Sequence, residues 1–498
     1  MRTLTRKLSS NRQFFCLIVV IKVLLTQGSA SAQRSFGVVF DENIYKSVPL
    51  IEPASGIKGN DFPERLSLRP FCPAAGFQEL TSACTAFAAG YGAMSITAAV
   101  KNKVTDSASL ASLRFSAAFV YNQVKKKAGD CQEGIAVEDA LEFLKTHGNC
   151  RYDQFDTSHN CSLLPDPGLM DSASRNQILD YAAILPFGAN RSQKITLLMH
   201  YLQDSIPVIV VFKVYKHFVD PVPGEFVWSR LPDEKEVALH CLLVTGYDKN
   251  LNTFEVMSSW GSDWGNQGFY QVNWSDMGDA TLAAYIIVPK MEALIGMGIP
   301  RHGANAATAP TLGTFTLEGE TELIRVMEDG TPEVLYRDPA TGFYKPKVGA
   351  FQVGTLYQLH QSGTGSGKYY YVFSCDAAGK IQMHYPKPFF SALSPGKKAV
   401  IAMPSSQSAL RLSLPGDDLV CLLYSQREIK DIQVRLRTMN GVMPANFTQK
   451  LQEAFGDLLL RKDQQLSIDY ATKEMRVKAN LLAGAGTVMP VVLWLQAE

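Results

Sequence analysis

The sequence predicts an α+β domain followed by an antiparallel, β-sandwich-like domain. Helix-compatible segments are concentrated before residue 150, and apolar β-like runs such as 207–212 follow them. Helices that precede strands, without regular alternation, indicate an α+β arrangement rather than βαβ units. Beyond residue 313, short alternating runs are separated by turn signals such as Asp329-Gly330 and Pro415-Gly416, which is the pattern of an antiparallel sheet.

The first 32 residues are predicted to be a signal peptide. The basic residues that open it are Arg2, Arg6, Lys7 and Arg12. An apolar stretch over 14–25 follows, and Ala30-Ser31-Ala32 has the small-residue pattern of a cleavage site. The stretch is shorter than the ~18–20 residues that span a bilayer, and it contains Lys22. We expect an exported protein (periplasmic, cell-surface or extracellular) with no membrane span in the mature chain; an uncleaved N-terminal anchor is the alternative.

The region 33–61 is predicted to be a short leader, because it contains Pro and Gly and has no helical periodicity. Residues 62–293 then form the predicted first domain. Three of its segments have the composition or apolar spacing of helices, namely 82–100, 115–127 and 136–147. Apolar runs at 207–212 and 241–245 indicate later strands.

Residues 294–312 are predicted to be a linker, since they are rich in Gly, Ala, Pro and Thr. We expect few contacts to cross it. Residues 313–498 are the predicted β-rich domain. Its expected strands include 369–375, 398–403, 419–424 and 488–495, with one helix over 447–461.

Composition excludes several classes of function. Hydrophobic residues make up 46% of the 498 residues, which is enough for a sizeable core. The 48 basic and 47 acidic side chains nearly cancel, so no electrostatic feature favours a nucleic acid as partner. No HExxH, paired CxxC or Gly-rich phosphate loop is present, so neither a cofactor nor a metal is expected.

Two residues have the setting of a nucleophilic pair. Cys84 follows a polar stretch and opens the small-residue helical segment, where backbone N–H groups would lower the pKa of its thiol. We expect it to be partly exposed. His240 begins an apolar strand that precedes an aromatic- and glycine-dense loop. Each residue alone is more often structural, and only the combination points to chemistry.

Three ordered blocks resemble the signature blocks of the papain-like cysteine peptidases. They are Gln78-x5-Cys84-Thr-Ala-Phe-Ala88, Leu239-His240-Cys-Leu-Leu-Val-Thr-Gly-Tyr247 and Ser259-Trp260-Gly-x2-Trp-Gly-x2-Gly268-Phe269. The resemblance covers residue 62 to about residue 290. It implies a two-lobed domain that hydrolyses peptide bonds in the cleft between its lobes.

The resemblance also implies roles for individual residues. Cys84 would attack the peptide carbonyl, and His240 would hold the thiolate and protonate the leaving amine. The Gln78 side chain, with the Cys84 N–H, would stabilise the oxyanion. Trp260 would shield the hydrogen bond between the histidine and the third catalytic residue. Two further residues, Glu133 and Gly134 in Asp130-Cys-Gln-Glu-Gly134, would line the substrate cleft on its non-primed side.

Four positions depart from the family pattern. Ser258 stands where the family has asparagine, so we expect a long or water-bridged contact to the imidazole and an under-oriented pair. Thr81 replaces a cysteine of the family, so Cys131 must be free or pair with Cys72, Cys150 or Cys161. Thr85 replaces an aromatic residue. The leader is too short to resemble the helical inhibitory propeptide of the family, so the resemblance gives no support for control by that route.

The β-rich domain resembles, more loosely, a bacterial domain of unknown function often appended to peptidases and kinases. The blocks are Tyr369-Tyr-Tyr-Val-Phe-x2-Asp376 and Leu414-Pro-Gly-Asp-Asp418. We expect the three tyrosines to pack within a sheet. Two alternatives to a peptidase remain: a catalytically weakened papain-like protein that binds a peptide or a partner protein, and a protein whose C-terminal domain binds another protein, a cell wall or a surface glycan.

Overall fold

The computed structural model describes residues 34–51, 56–57, 62–155, 160–222, 224–290, 314–365, 367–460, 465–470, 475–482 and 486–498. The predicted signal peptide (1–32) and linker (294–312) lie outside the described residues. Within the described part of the chain, no helix has both the length and the apolar character that crossing a membrane requires.

The helices fall mainly in the first domain. They are α1 (Glu42–Ser47), α2 (Cys84–Ala86), α3 (Met94–Asn102), α4 (Ser107–Leu113), α5 (Ala117–Val124), α6 (Val137–Thr146), α7 (Pro167–Ala173), α8 (Arg191–Gln203), α9 (Lys216–Val219), α10 (Trp274–Ala280), α11 (Ile432–Met439) and α12 (Phe447–Phe455). Between α2 and α3 the chain continues in π-helical geometry over Phe87–Ala93. The three predicted helices of the first domain are therefore confirmed, whereas α1, α4, α7, α8, α9, α10 and α11 were not predicted.

The strands divide at the linker. Those before it are β1 (Val38–Val39), β2 (Leu50–Ile51), β3 (Gly56–Ile57), β4 (Arg65–Ser67), β5 (Ile135–Ala136), β6 (Ile178–Ala183), β7 (Val208–Tyr215), β8 (Val227–Trp228), β9 (Glu236–Asp248), β10 (Thr253–Met257), β11 (Phe269–Asn273) and β12 (Thr281–Pro289). Those after it are β13 (Thr314–Val326), β14 (Pro332–Val334), β15 (Tyr336–Arg337), β16 (Phe343–Lys345), β17 (Leu356–Ser362), β18 (Tyr369–Cys375), β19 (Ile381–Tyr385), β20 (Phe390–Ser391), β21 (Ala399–Met403), β22 (Leu410–Arg411), β23 (Gly416–Ser425), β24 (Gln465–Tyr470), β25 (Met475–Leu482) and β26 (Val488–Ala497).

The sheet of the first domain carries one side of the candidate site. Its order is β20-β2-β6-β12-β7-β9-β10-β11-β8, with β4 paired to β9. Strands β7 and β9 pair antiparallel, which sets His240 opposite Phe212. The apolar side chains of β7, and those of β9 beyond His240, are buried on both faces because helices cover the sheet, as expected for central strands. The sheet is therefore a rigid support for His240.

The C-terminal region is a two-sheet sandwich, as the sequence predicts. Sheet β24-β25-β13-β17-β21-β3 faces sheet β15-β16-β26-β23-β18-β19. Alternate side chains of β18 explain the tyrosine run, since Tyr370 joins the core between the sheets. Tyr369 and Tyr371 face the other way, toward α11, α12 and the first domain. All three are buried, which confirms their packing within the sheet.

The two regions share one apolar core. A single cluster of buried side chains contains Val288 from the first domain together with Phe373 and Leu423 from the C-terminal sheet. Across this boundary the hydroxyl of Tyr369 donates to an oxygen of Asp180 at 3.0 Å. The expectation that few contacts cross between the regions is wrong, because one face of the C-terminal sheet is apolar and needs the first domain to cover it.

The leader adds backbone pairing to this boundary. Leu50 pairs in parallel with both Ala183 and Phe390, so β2 lies between a strand of each region. Further along, β3 pairs antiparallel with Ala399 and Val400 of β21. We call residues 50–51 and 56–57 the tie. The described parts of the leader thus form the helix α1 and short strands, and the partners of those strands lie in distant parts of the chain.

Candidate active site

Cys84 is the first residue of α2, as the sequence predicts, and its neighbour Ala83 caps the helix. Its side chain is 0% exposed. The expectation of partial exposure is wrong because Gly37 of the leader lies over the sulfur. Hydrogen bonds from the backbone groups of Gly37 and Cys241 stabilise the thiolate form, yet burial is the larger effect. Burial therefore raises the pKa of the Cys84 thiol to about 11.

His240 lies in β9, one residue before Cys241, whose backbone contacts the Cys84 sulfur. The Nε2 atom of its imidazole lies 3.2 Å from the Ser258 hydroxyl. Its Nδ1 atom is buried and has no hydrogen-bond partner among the described residues. One ring nitrogen is thus held by Ser258, and the other is left for a reacting group. Burial lowers the pKa of His240 to about 3.

Ser258 immediately follows β10, and its N–H donates to the carbonyl of Gly268 at 3.1 Å. This backbone bond brings its hydroxyl directly to His240, with no bridging water required. The 3.2 Å contact is at the long end of the range for a hydroxyl. Because one hydroxyl replaces a carboxamide, the imidazole has a weaker anchor than the family pattern would give it.

Gln78 presents its amide to a peptide carbonyl. Its Nε2 donates to the oxygen of Ser35 at 3.1 Å and to that of Thr81 at 2.7 Å. Its Oε1 accepts from the Ser259 hydroxyl, which fixes the orientation of the amide. We did not predict a role for Ser259, although it opens the block Ser259-Trp260-Gly and could have been singled out there. The Gln78 donor is therefore aimed into the cleft.

Residues 34–40, which we call the strap, run through this cleft. Within it β1 pairs in parallel with β5, Val38 opposite Ile135. The N–H of Ile135 donates to the Gly37 carbonyl at 2.9 Å. Because the leader does not resemble the helical inhibitory propeptide, the sequence did not predict that the leader would cover the cleft. The structure nevertheless has the leader in the cleft, because seven extended residues are long enough to cross it.

Two glycines allow the strap to come so close. A Cβ atom on Gly37 would lie 2.1 Å from the Ser82 carbonyl oxygen, and one on Gly134 would lie 2.3 Å from the Gly37 oxygen. Only hydrogen atoms at both positions permit this approach. Gly134 is thus a wall of the cleft, as the family resemblance implies. The Glu133 carboxylate accepts from the N–H of Lys127.

Trp260 covers His240. Their rings stack with centroids 4.2 Å apart and an interplanar angle of 16°. The indole N–H donates to the Ser35 oxygen at 3.1 Å, so this carbonyl receives two donors, one from Trp260 and one from Gln78. Phe36 of the strap meets both rings edge-on, which completes the exclusion of water from His240.

The cysteine pairing left open by the sequence is Cys131–Cys161. This disulfide links the segment before Gly134 to the loop after Phe155. Cys72 and Cys150, the other possible partners, are free and buried. Cys375 and Cys421 in the C-terminal region are also free, buried thiols.

Comparisons with known proteins find relatives of the first domain. Residues 78–289 match the model of the papain family cysteine protease. An uncharacterized peptidase C1-like protein of Acanthamoeba polyphaga mimivirus is 28% identical over 85 residues, which are 17% of this chain and 27% of that protein's length. The alignment therefore spans about a quarter of that relative.

Solved structures of cysteine proteases are also similar. Xylellain, a cysteine protease from Xylella fastidiosa, is 16% identical over 51% of this chain and 97% of its own, with a TM-score of 0.40. The bromelain protease from Ananas comosus is 19% identical over 46% of this chain and 100% of its own, with a TM-score of 0.36. On the family match, residues 78–289 of this chain are a cysteine peptidase domain of the papain family.

Proposed function

We propose that the protein hydrolyses peptide bonds through Cys84 and His240, and that the strap covers this site in the intact chain. One observation carries the proposal. The Ser35 carbonyl in the cleft accepts hydrogen bonds from Gln78 and Trp260 beside a buried cysteine that begins a helix. Acyl transfer requires hydrogen-bond donors that are positioned on a peptide carbonyl oxygen, and these two donors already hold one.

In the proposed reaction, Cys84 passes its thiol proton to His240, and the thiolate sulfur attacks the carbonyl carbon of the substrate, whose oxygen becomes an oxyanion. The Gln78 Nε2–H and the Cys84 N–H stabilise that charge. His240 then gives its proton to the amine as the C–N bond breaks, leaving a thioester on Cys84. Water, deprotonated by His240, hydrolyses the thioester. Ser258 orients the imidazole throughout.

The strap itself is not presented for attack. The strap group that hydrogen-bonds to the Cys84 sulfur is the backbone of Gly37, whose carbonyl accepts from Ile135 and not from Gln78. The carbonyl that Gln78 holds is that of Ser35, two residues away from Gly37. If Gly134 lies on the acyl side of the cleft, as the resemblance implies, the strap runs in the direction opposite to a substrate. It therefore occupies the cleft as an uncleaved peptide.

The experiment is cleavage of a peptide library by four forms of the full-length chain. These are the unchanged protein, Gly37→Val, Gly37→Val/Cys84→Ala and Gly37→Val/Cys72→Ala. Valine at position 37 would collide with the Ser82 carbonyl, so the strap must leave. We expect cleavage by Gly37→Val and by the Cys72→Ala control, and a loss of at least about 10⁴-fold with Cys84→Ala.

Two outcomes would reject the proposal. Equal cleavage with and without the Cys84 sulfur would mean that another group performs the reaction. Peptide binding without cleavage in the strap-released chain would instead support the weakened, peptide-binding alternative. A pulldown with the intact chain and with the Cys84→Ala chain tests the second alternative, in which the C-terminal region binds a surface glycan or another protein.

We also propose that the protein is exported. The basic and apolar pattern of residues 1–32 supports export, and so does the Cys131–Cys161 disulfide, since such bonds persist in oxidising compartments. The test is the N-terminal sequence of the protein recovered from the periplasm or medium of an expressing bacterium. A mature terminus at Gln33 is expected, and recovery in the cytoplasm with Met1 retained would contradict export.

A further inference from the structure

The first residue of the strap is held by a carboxylate and an indole. Nη1 of Arg34 lies 3.1 Å from Oδ1 of Asp220, and the Arg34 guanidinium carbon lies 5.8 Å from the centre of a Trp260 ring. The Arg34 side chain is only 15% exposed although its partner carboxylate is 50% exposed. The guanidinium is therefore seated in the cleft wall rather than extended into solvent.

Asp220 is fixed in position by its neighbours. Its N–H donates to the Lys216 carbonyl at 3.0 Å and ends α9. Two residues earlier, Phe218 is fully buried and packs edge-on against Trp264 and Trp228, with centroids 5.2 Å apart in each case. The backbone of Asp220 is therefore held by contacts that do not involve the strap. The acidic group is thus part of the cleft and not of the strap.

The position of Asp220 identifies the part of a substrate that it would meet. The strap passes the Cys84 sulfur at Gly37, and the residues after it run along β5, whereas Arg34 lies on the opposite side. That side is the one on which Trp260 stacks on His240. Because the histidine must protonate the departing amine, the leaving group lies there.

From this arrangement we propose that Asp220 and Trp260 form a subsite that selects a basic side chain, above all arginine, on the leaving-group side of the scissile bond. This inference rests on the proposed peptidase function. A planar guanidinium can pair with the carboxylate and lie near the indole at once, whereas the compact ammonium of lysine makes one contact at a time. The strap fills the same subsite with its own Arg34.

The experiment compares peptides that differ only on the leaving side. Each of the first three positions after the scissile bond carries arginine, lysine, glutamine or glutamate in turn, in an otherwise constant peptide. Two peptides compete for the same intact chain, so the fraction of open strap cancels from the ratio of their kcat/KM values. We expect one position at which arginine is preferred over glutamine by about fivefold at low salt, the effect of an exposed ion pair with a nearby ring.

Three variants assign the preference. Asp220→Asn should reduce it to within about twofold, and Asp220→Lys should favour glutamate at the same position. Asp233→Asn is the matched control, because it removes an equal charge from an exposed loop of the same region and should keep the full preference. Added salt should weaken the preference in the unchanged chain, since Asp220 is half exposed.

Equal ratios in the unchanged and Asp220→Asn chains, with both peptides cleaved, would overturn the subsite and leave the peptidase function intact. If no peptide is cleaved, the ratio of Kd values for the arginine and glutamine peptides, measured by fluorescence anisotropy on Cys84→Ala chains with and without Asp220→Asn, decides the question. A preference that needs Asp220 supports the subsite although the function fails. If neither chain prefers the arginine peptide, the subsite is rejected.

Discussion

The two halves of the leader differ in what they contact. The strap makes one two-residue strand pairing, between β1 and β5, and otherwise contacts single groups of the cleft such as the Gln78 amide and the Trp260 indole. The tie instead contributes strands to sheets of both regions. Leaving the cleft breaks a few hydrogen bonds that water can replace, whereas removing the tie breaks main-chain pairing across a buried boundary. One short segment thus combines a releasable cover with a permanent attachment.

The largest expected effect concerns the buried boundary between the two regions. Phe373→Ala removes a fully buried ring that packs near Phe447 in the core shared by both regions. We expect the free energy of unfolding to fall by about 3–5 kcal/mol. Tryptophan fluorescence should report the change as strongly as circular dichroism, since four of the five tryptophans precede residue 290.

Val348→Ala is the control for that experiment, because its side chain is 85% exposed in the same region and should have no effect. If fluorescence is unchanged by Phe373→Ala while circular dichroism shows a separate, earlier transition, the two regions unfold independently and the shared core does not couple them.

On the releasable side, Gly37→Val should free the strap without unfolding the protein. The added methyl groups collide with the Ser82 carbonyl, and the tie still holds the rest of the leader. We expect Cys84 to be alkylated by iodoacetamide about 10–100-fold faster, the equivalent of roughly 1.4–2.7 kcal/mol of strap closure. Mass spectrometry of the modified peptide measures the rate.

The matched variant for the strap is Val39→Ala, whose side chain is half exposed on the same segment and which should alkylate at the unchanged rate. Equal acceleration by both variants would show that the segment is loosened by any change, and not by the clash at Gly37.

Acid should destabilise the protein in the form in which the strap covers the cleft, because His240 is buried and neutral in that form. Its pKa is about 3 when buried and about 6.5 when exposed. Below pH 6.5 the opened or unfolded chain therefore binds a proton that the closed chain cannot, and stability falls as the pH falls toward 3. Between pH 6.5 and 5 we expect a loss of about 1–2 kcal/mol that His240→Gln lacks. Denaturation curves of both chains measure it, and parallel slopes would contradict the assignment.

The smallest effect concerns the third catalytic position. In the strap-released Gly37→Val chain, Ser258→Asn should raise kcat/KM by about five- to tenfold, or roughly 1 kcal/mol, because a carboxamide oxygen reaches the imidazole better than the hydroxyl at 3.2 Å. Steady-state kinetics with one peptide checks this. Unchanged kinetics in a correctly folded variant would mean that the serine already orients His240 fully.

Sequence reasoning identified those parts of the candidate site that belong to short, continuous sequence patterns. Cys84 opens its helix, and Ser258 directly precedes a recognisable block, so short patterns identify both. The strap, the carboxylate of Asp220 and the disulfide partner of Cys131 depend on contacts between residues that are 30 to 225 positions apart in the sequence. No local periodicity encodes such pairings. The exposure of Cys84 was mispredicted for this same reason, since its cover comes from the leader.

The central claim is that the strap holds the catalytic pair in its neutral form. The most direct measurement is the far-ultraviolet thiolate absorbance of each chain minus that of its Cys84→Ala counterpart, near neutral pH. The intact chain should have no thiolate at Cys84, because burial raises the pKa of this thiol to about 11. The Gly37→Val chain should have one, stabilised by a hydrated His240 imidazolium. A thiolate in the intact chain, or none in either chain, would contradict the account.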